Sequence, residues 1–292
     1  MRMWAAKFNM LVANLGLMAL LWLLCSLTIP SPLQAAIFFD SNFETCAVGT
    51  GNDFPCEGWT DYGKEFINAP NHNKIEITNS LAFSGAKSVK GTWVNVNGGL
   101  QNPSLLHYFP ASDHLFARFA TRQSPGFQIS SNNITKMVRF TSSSGSWYPV
   151  ISVWMQNYKY IIAVEGGWSM GTVNYQGGDT VSSTSWDQVE LECLLNTPGQ
   201  ANGLLRLWVN GVLRIERLNL QLRGPTPTSV NSQGLLNKST YRIDSAQIFV
   251  QNGNGSKYYD RFAVGNTRIG LATGQTSSDT APPTIPTGVR AQ

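Results

Sequence analysis

The chain has 292 residues, of which only 13% are charged, and its formal net charge is +4. Its Lys and Arg residues form no cluster, so a nucleic-acid partner is not expected; such binding needs basic residues gathered on one face. Abundant Gly, Ser, Thr, Asn and aromatic residues instead suit short strands joined by polar turns.

The N-terminus carries Arg2 and Lys7, then an apolar run from Met10 to Ile29, then Pro30 and Pro32, and small residues at Ala35 and Ala36. Positive charge, apolar stretch and small-residue exit make the pattern of a secretory signal peptide cleaved near Ala35. A transmembrane anchor is the alternative, because the run approaches the roughly 20 residues a bilayer requires. A signal places the mature chain outside the cytoplasm, secreted or at the cell surface, with no membrane contact after cleavage. Residues 36–272 then suit one large β domain of roughly 200–250 residues.

In an oxidising compartment Cys46 and Cys56, which enclose a Gly-rich loop, are expected to form a local disulfide. Cys193 alternates with apolar neighbours and is expected to be a buried thiol.

Past the signal, apolar residues recur with period two in short runs. Strands are expected at Ile37–Phe39, Lys74–Thr78, Ser88–Val96, His114–Thr121, Thr135–Thr141, Val150–Gln156 and Tyr158–Val164. From Trp186 to Ile215 the pattern predicts an antiparallel meander. Val189, Leu191, Cys193 and Leu195 share one face, and Glu190 and Glu192 share the other, which reads as solvated. Asn210-Gly211 marks a tight hairpin, because both central residues of that turn need positive φ. Further strands are expected over Tyr241–Val250 and Lys257–Ile269. Residues 273–292 change to a Gly/Ser/Thr stretch and then a stiff Pro-rich segment.

WDQVELECLLNTPGQANGLLRLWVNGVL, from Trp186 to Leu213, resembles the signature hairpins of bacterial secreted concanavalin A-like domains. Laminin-G-like modules and several polysaccharide lyase families belong to that class. FFDSNFET near the mature start, Gly58-Trp59, and YYDRFAVGNTRIG near the end extend the resemblance over nearly the whole mature chain. It implies an all-β, two-sheet antiparallel jelly-roll sandwich that binds polysaccharide on its concave sheet. It also implies a structural calcium ion between the first and last strands, with Asp40 and Asp260 as oxygen ligands; two surface aspartates are the plainer alternative. The tail DTAPPTIPTGVRAQ resembles the opening of a fibronectin type III module.

Sugar binding needs flat rings against C–H groups and polar side chains for hydroxyls. Alternation along Val150–Tyr158 puts Ser152, Trp154, Gln156 and Tyr158 on one side and Ile151, Val153 and Met155 on the other. The first set forms a candidate sugar groove; the alternative is that Trp154 fills the core. On the strand from His114, the residues His114, Phe116, Arg118 and Arg122 alternate with Leu115, Ala117 and Phe119. If these faces meet, Arg118 and Gln156 would neutralise a uronate carboxylate, and His114 or Tyr158 would serve as base or acid in β-elimination. The Gln-Ile-His and Tyr-Lys-Gly-Tyr-Gln motifs of alginate-lyase-like families do not occur, and Met155–Tyr160 is a loose echo of the second. Glu165, before Gly166-Gly167, is expected in a loop near sugar hydroxyls. Three functions stay open: a carbohydrate-binding module, a polysaccharide lyase, or a protein-interaction module at the cell surface.

Overall fold

The computed structural model describes residues 36–50, 55–62, 73–94, 103–129, 133–143 and 148–272. The expected signal segment 1–35 and the Pro-rich tail 273–292 lie outside them. Among the described residues every regular element is a strand: β1 Ile37–Ser41, β2 Gly49–Thr50, β3 Thr60–Tyr62, β4 Lys74–Thr78, β5 Ser88–Trp93, β6 Ser104–Ser112, β7 His114–Gln123 and β8 Ile134–Thr141. There follow β9 Val150–Gln156, β10 Lys159–Gly167, β11 Gly171–Thr180, β12 Asp187–Leu194, β13 Gly203–Val209, β14 Val212–Leu220, β15 Ile243–Gln251 and β16 Gly255–Gly265.

These strands build two antiparallel sheets. The nine-stranded sheet runs β14-β13-β12-β7-β16-β5-β4-β2, and β1 pairs with the far half of β16. The seven-stranded sheet runs β11-β10-β9-β8-β15-β6-β3. The meander predicted from Trp186 onward is β12-β13-β14, and Asn210 (φ 52°) and Gly211 (φ 81°) turn its second hairpin as that motif requires.

Two sheets bury their facing sides because period-two alternation gives each strand one apolar edge. From the nine-stranded sheet come Leu115, Ala117 and Phe119 of β7 and Val189, Leu191 and Cys193 of β12. Ile151, Val153 and Met155 of β9 and Ile162 and Val164 of β10 meet them from the other sheet. The buried Cys193 is a free thiol, and burial pushes its pKa up, which keeps it inert.

The N-terminal turn is tied down covalently and by one carboxylate. Cys46 and Cys56 form the expected disulfide. Glu57 accepts hydrogen bonds from the Ser41 hydroxyl (2.6 Å), the amides of Asn42, Phe43 and Thr45, and the Thr45 hydroxyl. Burial acts to raise its pKa, but the bonds from Ser41, Thr45 and Phe43 prevail, and the net shift is downward.

One core residue is out of character. Lys257 on β16 is fully buried, with Nζ 3.7 Å from the Met155 sulfur and 4.6 Å from the Phe127 ring centroid. Burial pulls its pKa down to about 7, partly opposed by Asp187. The unfolded chain, whose lysine titrates near 10.5, therefore holds the extra proton across the interval between those values. Stability should rise with pH from about pH 7 to about pH 8.5, above which ionisation of the Cys193 thiol in the unfolded chain offsets the gain. Lys257→Met should flatten that slope and raise stability near pH 7 by about 1–3 kcal/mol, as read from urea melts at a series of pH values.

Candidate functional site

The register around β9 defines the outer face of the seven-stranded sheet. Trp154 lies opposite Lys136 on β8 and Ile161 on β10. Ser152 lies opposite Arg139 and Ala163, and Arg139 in turn lies opposite Gln247 on β15. A register shift between Lys136 and Val138 brings Lys136 and Arg139 onto the same face although they are three apart in sequence. Trp154 does not join the inter-sheet core. It forms a separate outer cluster with Ile161 and Ala163, flanked by Ile134.

Two aromatic rings on this face are each capped by a cation. Lys136 Nζ stands 4.7 Å from the Trp154 ring centroid and 3.1 Å from Glu165 Oε1. The Arg139 guanidinium lies 4.5 Å over Phe249, and its Nε donates to Gln247 Oε1. A cation over a ring contributes about 0.5–2 kcal/mol, and a partly exposed ion pair about 0–1 kcal/mol. Trp154 is 6% exposed, so its ring is covered rather than open as a sugar platform. Toward one end of the face, Gln176 donates to Gln156 (3.3 Å). At the other, Tyr108 is 57% exposed and pairs across from Ser245. The buried Ser152 hydroxyl and the Asn174 carbonyl oxygen find no hydrogen-bond partner among the described residues.

The residues singled out from sequence divide between the two sheets. Trp154 and Gln156 occupy the face just described. Tyr158 sits in the β9–β10 turn with positive φ, beside Asn157, and is exposed. Arg118 and His114 belong to β7, in the opposite sheet, and point outward from it. The proposed convergence of Arg118, His114, Gln156 and Tyr158 therefore does not form. Alternation along a strand gives the side of a residue but not the sheet it joins. Arg118 lies 3.9 Å from Asp40 and donates to the carbonyls of Arg261 and Gly270. Burial lowers its pKa, with Asp40 and Glu190 acting against that. His114 Nε2 meets Glu192 at 2.8 Å, and Arg206 joins Glu192 (3.2 Å) to Glu216 (2.7 Å).

Glu190 and Glu192 were expected to be solvated, yet each is only 4% exposed. The segment after β16 crosses this outer face. The amides of Ile269 and Gly270 donate to Glu190, and that of Ala272 donates to Gln188. Burial raises the pKa of Glu190, and the bonds from Ile269 and Gly270 work against the shift. Glu165, expected in a loop, instead lies within β10, opposite Val150 of β9.

A calcium ion shared by Asp40 and Asp260 does not fit the donors at hand. Asp260 is buried and accepts from the amides of Phe83, Ser84 and Arg261, so N–H groups occupy its oxygens where a cation needs carbonyls or carboxylates. Asp40 faces a guanidinium. Among the described residues no group of three His, Cys, Asp or Glu side chains is arranged to hold a metal.

Lys136, Arg139, Gln247, Phe249 and Tyr108 escaped the sequence analysis. The alternation of Ser245, Gln247 and Phe249 against Ala246, Ile248 and Val250 carried the signal for β15. The register shift in β8 hid the pairing of Lys136 with Arg139.

No protein-family model matches this sequence, and no curated protein sequence does either. Its fold is that of solved polysaccharide lyases. An endo-β-1,4-glucuronan lyase from the fungus Trichoderma reesei superimposes with a TM-score of 0.56 at 16% identity, covering 82% of this chain and 100% of its own. An alginate lyase from Aplysia kurodai gives 0.50 at 9% identity, covering 79% and 99%. The globular domain of T. cruzi calreticulin gives 0.50 at 10%, covering 80% and 89%. The chain is thus an all-β, two-sheet antiparallel jelly-roll sandwich. At these identities the likeness defines architecture, and this architecture serves many activities.

Arg118 serves the fold on the evidence of its contacts. Arg118→Met should cost about 1–3 kcal/mol in urea denaturation by leaving buried acceptors unpaired.

Proposed function

We propose that this chain is an extracellular polysaccharide-binding protein that takes an acidic glycan along the outer face of the seven-stranded sheet. The observation that carries the proposal is the cluster of Lys136 and Arg139 over Trp154 and Phe249, with Gln247 at the Arg139 guanidinium. A guanidinium and an amide suit a carboxylate, and Gln156 and Gln176 supply donors and acceptors for hydroxyls. The Cys46–Cys56 bridge supports an oxidising compartment, in keeping with the N-terminal signal pattern. The glucuronan and alginate lyases that share the fold act on acidic polymers, which supports the same ligand class.

A second reading, β-elimination, is favoured by the juxtaposition of Arg139 and Gln247. Together they would neutralise the carboxylate and acidify the neighbouring C–H bond. Tyr108 pairs with Ser245, two residues from Gln247 along β15, which makes it a diagonal neighbour and a candidate both to take the C–H proton and to return it to the leaving oxygen as the C–O bond breaks.

The purified chain, titrated calorimetrically with polyuronates and with neutral glucans, should bind the polyuronates. Arg139→Ala should weaken that binding by about tenfold or more, as expected for loss of a charge-assisted contact. Release of unsaturated, ultraviolet-absorbing product would establish elimination; binding without product would establish a binding module. Binding to neither glycan class would overturn the proposal in favour of a protein ligand.

A further inference from the structure

We infer that Lys136 is a specificity-determining gate: it covers the Trp154 ring in the free protein and moves aside only for a glycan that carries a carboxylate. The inference rests on the reading of this face as a glycan site and adds how that site rejects neutral sugars. The geometry supplies both halves. Trp154 has the flat ring that sugar C–H faces favour, yet it lies outside the main core and is still covered. Ile161 and Ala163 pack beside it from the next strand, and Ile134 flanks it. Lys136 stands over the ring, with Glu165 holding its ammonium at 3.1 Å. The same ammonium lies 6.0 Å from the Phe249 ring centroid, so one side chain sits between both rings of the face.

A neutral sugar that approaches Trp154 must displace a cation from a ring and offers no charge in return. A uronate offers its own carboxylate to that ammonium, in competition with Glu165, and the ring is freed as the amine turns toward the ligand. Glu165 therefore acts as the resident stand-in for the ligand's carboxylate. Such a device selects against the wrong ligand as well as for the right one.

Two variants with opposite expected signs test the gate. Lys136→Ala should expose Trp154, raising acrylamide quenching of tryptophan fluorescence, and the rise should vanish in Lys136→Ala/Trp154→Phe. In the same variant polyuronate affinity should fall roughly tenfold while neutral glucan affinity holds or rises, collapsing the preference between them. Glu165→Gln removes the competing carboxylate and should tighten polyuronate binding by about two- to fivefold. Thermal melts confirm that each variant is folded. A parent that prefers polyuronate while folded Lys136→Ala keeps the same preference and the same quenching would overturn the gate and leave the binding face standing. A parent that binds neither glycan class would remove the binding face, and the gate with it.

Discussion

The dry layer between the two sheets is the constraint from which the site follows. Ile151, Val153 and Met155 must reach that layer, so Ser152, Trp154 and Gln156 must leave it on the opposite side of β9. The same requirement sends Ile248 and Val250 inward and Gln247 and Phe249 outward on β15. A strand with period-two alternation has no third option. Once β8, β9 and β15 lie side by side, their outward residues share one patch, and its chemistry is fixed by which side chains the core did not take.

The two outer faces have been put to different uses. On the nine-stranded sheet, Glu190 and Glu192 are sealed by the Asn266–Ala272 segment, by Arg206 and by His114. Charges withdrawn from water in this way need partners, and their partners are structural. Asp260 shows the same logic with three backbone amides. On the seven-stranded sheet, the charges stay partly exposed and stand over rings, with Glu165 as the ion-pair partner of Lys136.

Much of the fold could be read from the amino-acid sequence. Clean alternation located β4, β7, β9 and β12, and Asn210-Gly211 located the hairpin between β13 and β14. β6 and β11 were not foreseen. SLLHYFPAS mixes apolar and polar residues without a period and contains Pro110, while GTVNYQGGDT carries three glycines and almost no apolar edge. Both gain their strand character from neighbours, β6 from β15 and β3, β11 from β10. The site was half legible for a related reason. Facing is written locally, in the alternation of β9, and was read correctly for Trp154 and Gln156. Membership in a sheet is written in contacts far apart along the chain, so β7 and β9 were brought together on paper although the fold sends them to opposite layers. The irregularity in β8 is invisible without its partner strand.

β15 lies between β8 and β6, and β16 lies between β7 and β5, so each of the last two described strands is an interior member of one sheet. Without residues 243–265 the other described strands fall into four paired blocks and one lone strand: β7 with β12–β14, β5 with β4 and β2, β8 with β9–β11, β6 with β3, and β1, which pairs with β16. Both sheets therefore close through pairings of large sequence separation, the kind that forms slowly. A product shortened before Ile243 leaves the borders of β8, β6, β7, β5 and β1 that β15 and β16 would cover unpaired, and such borders recruit other strands.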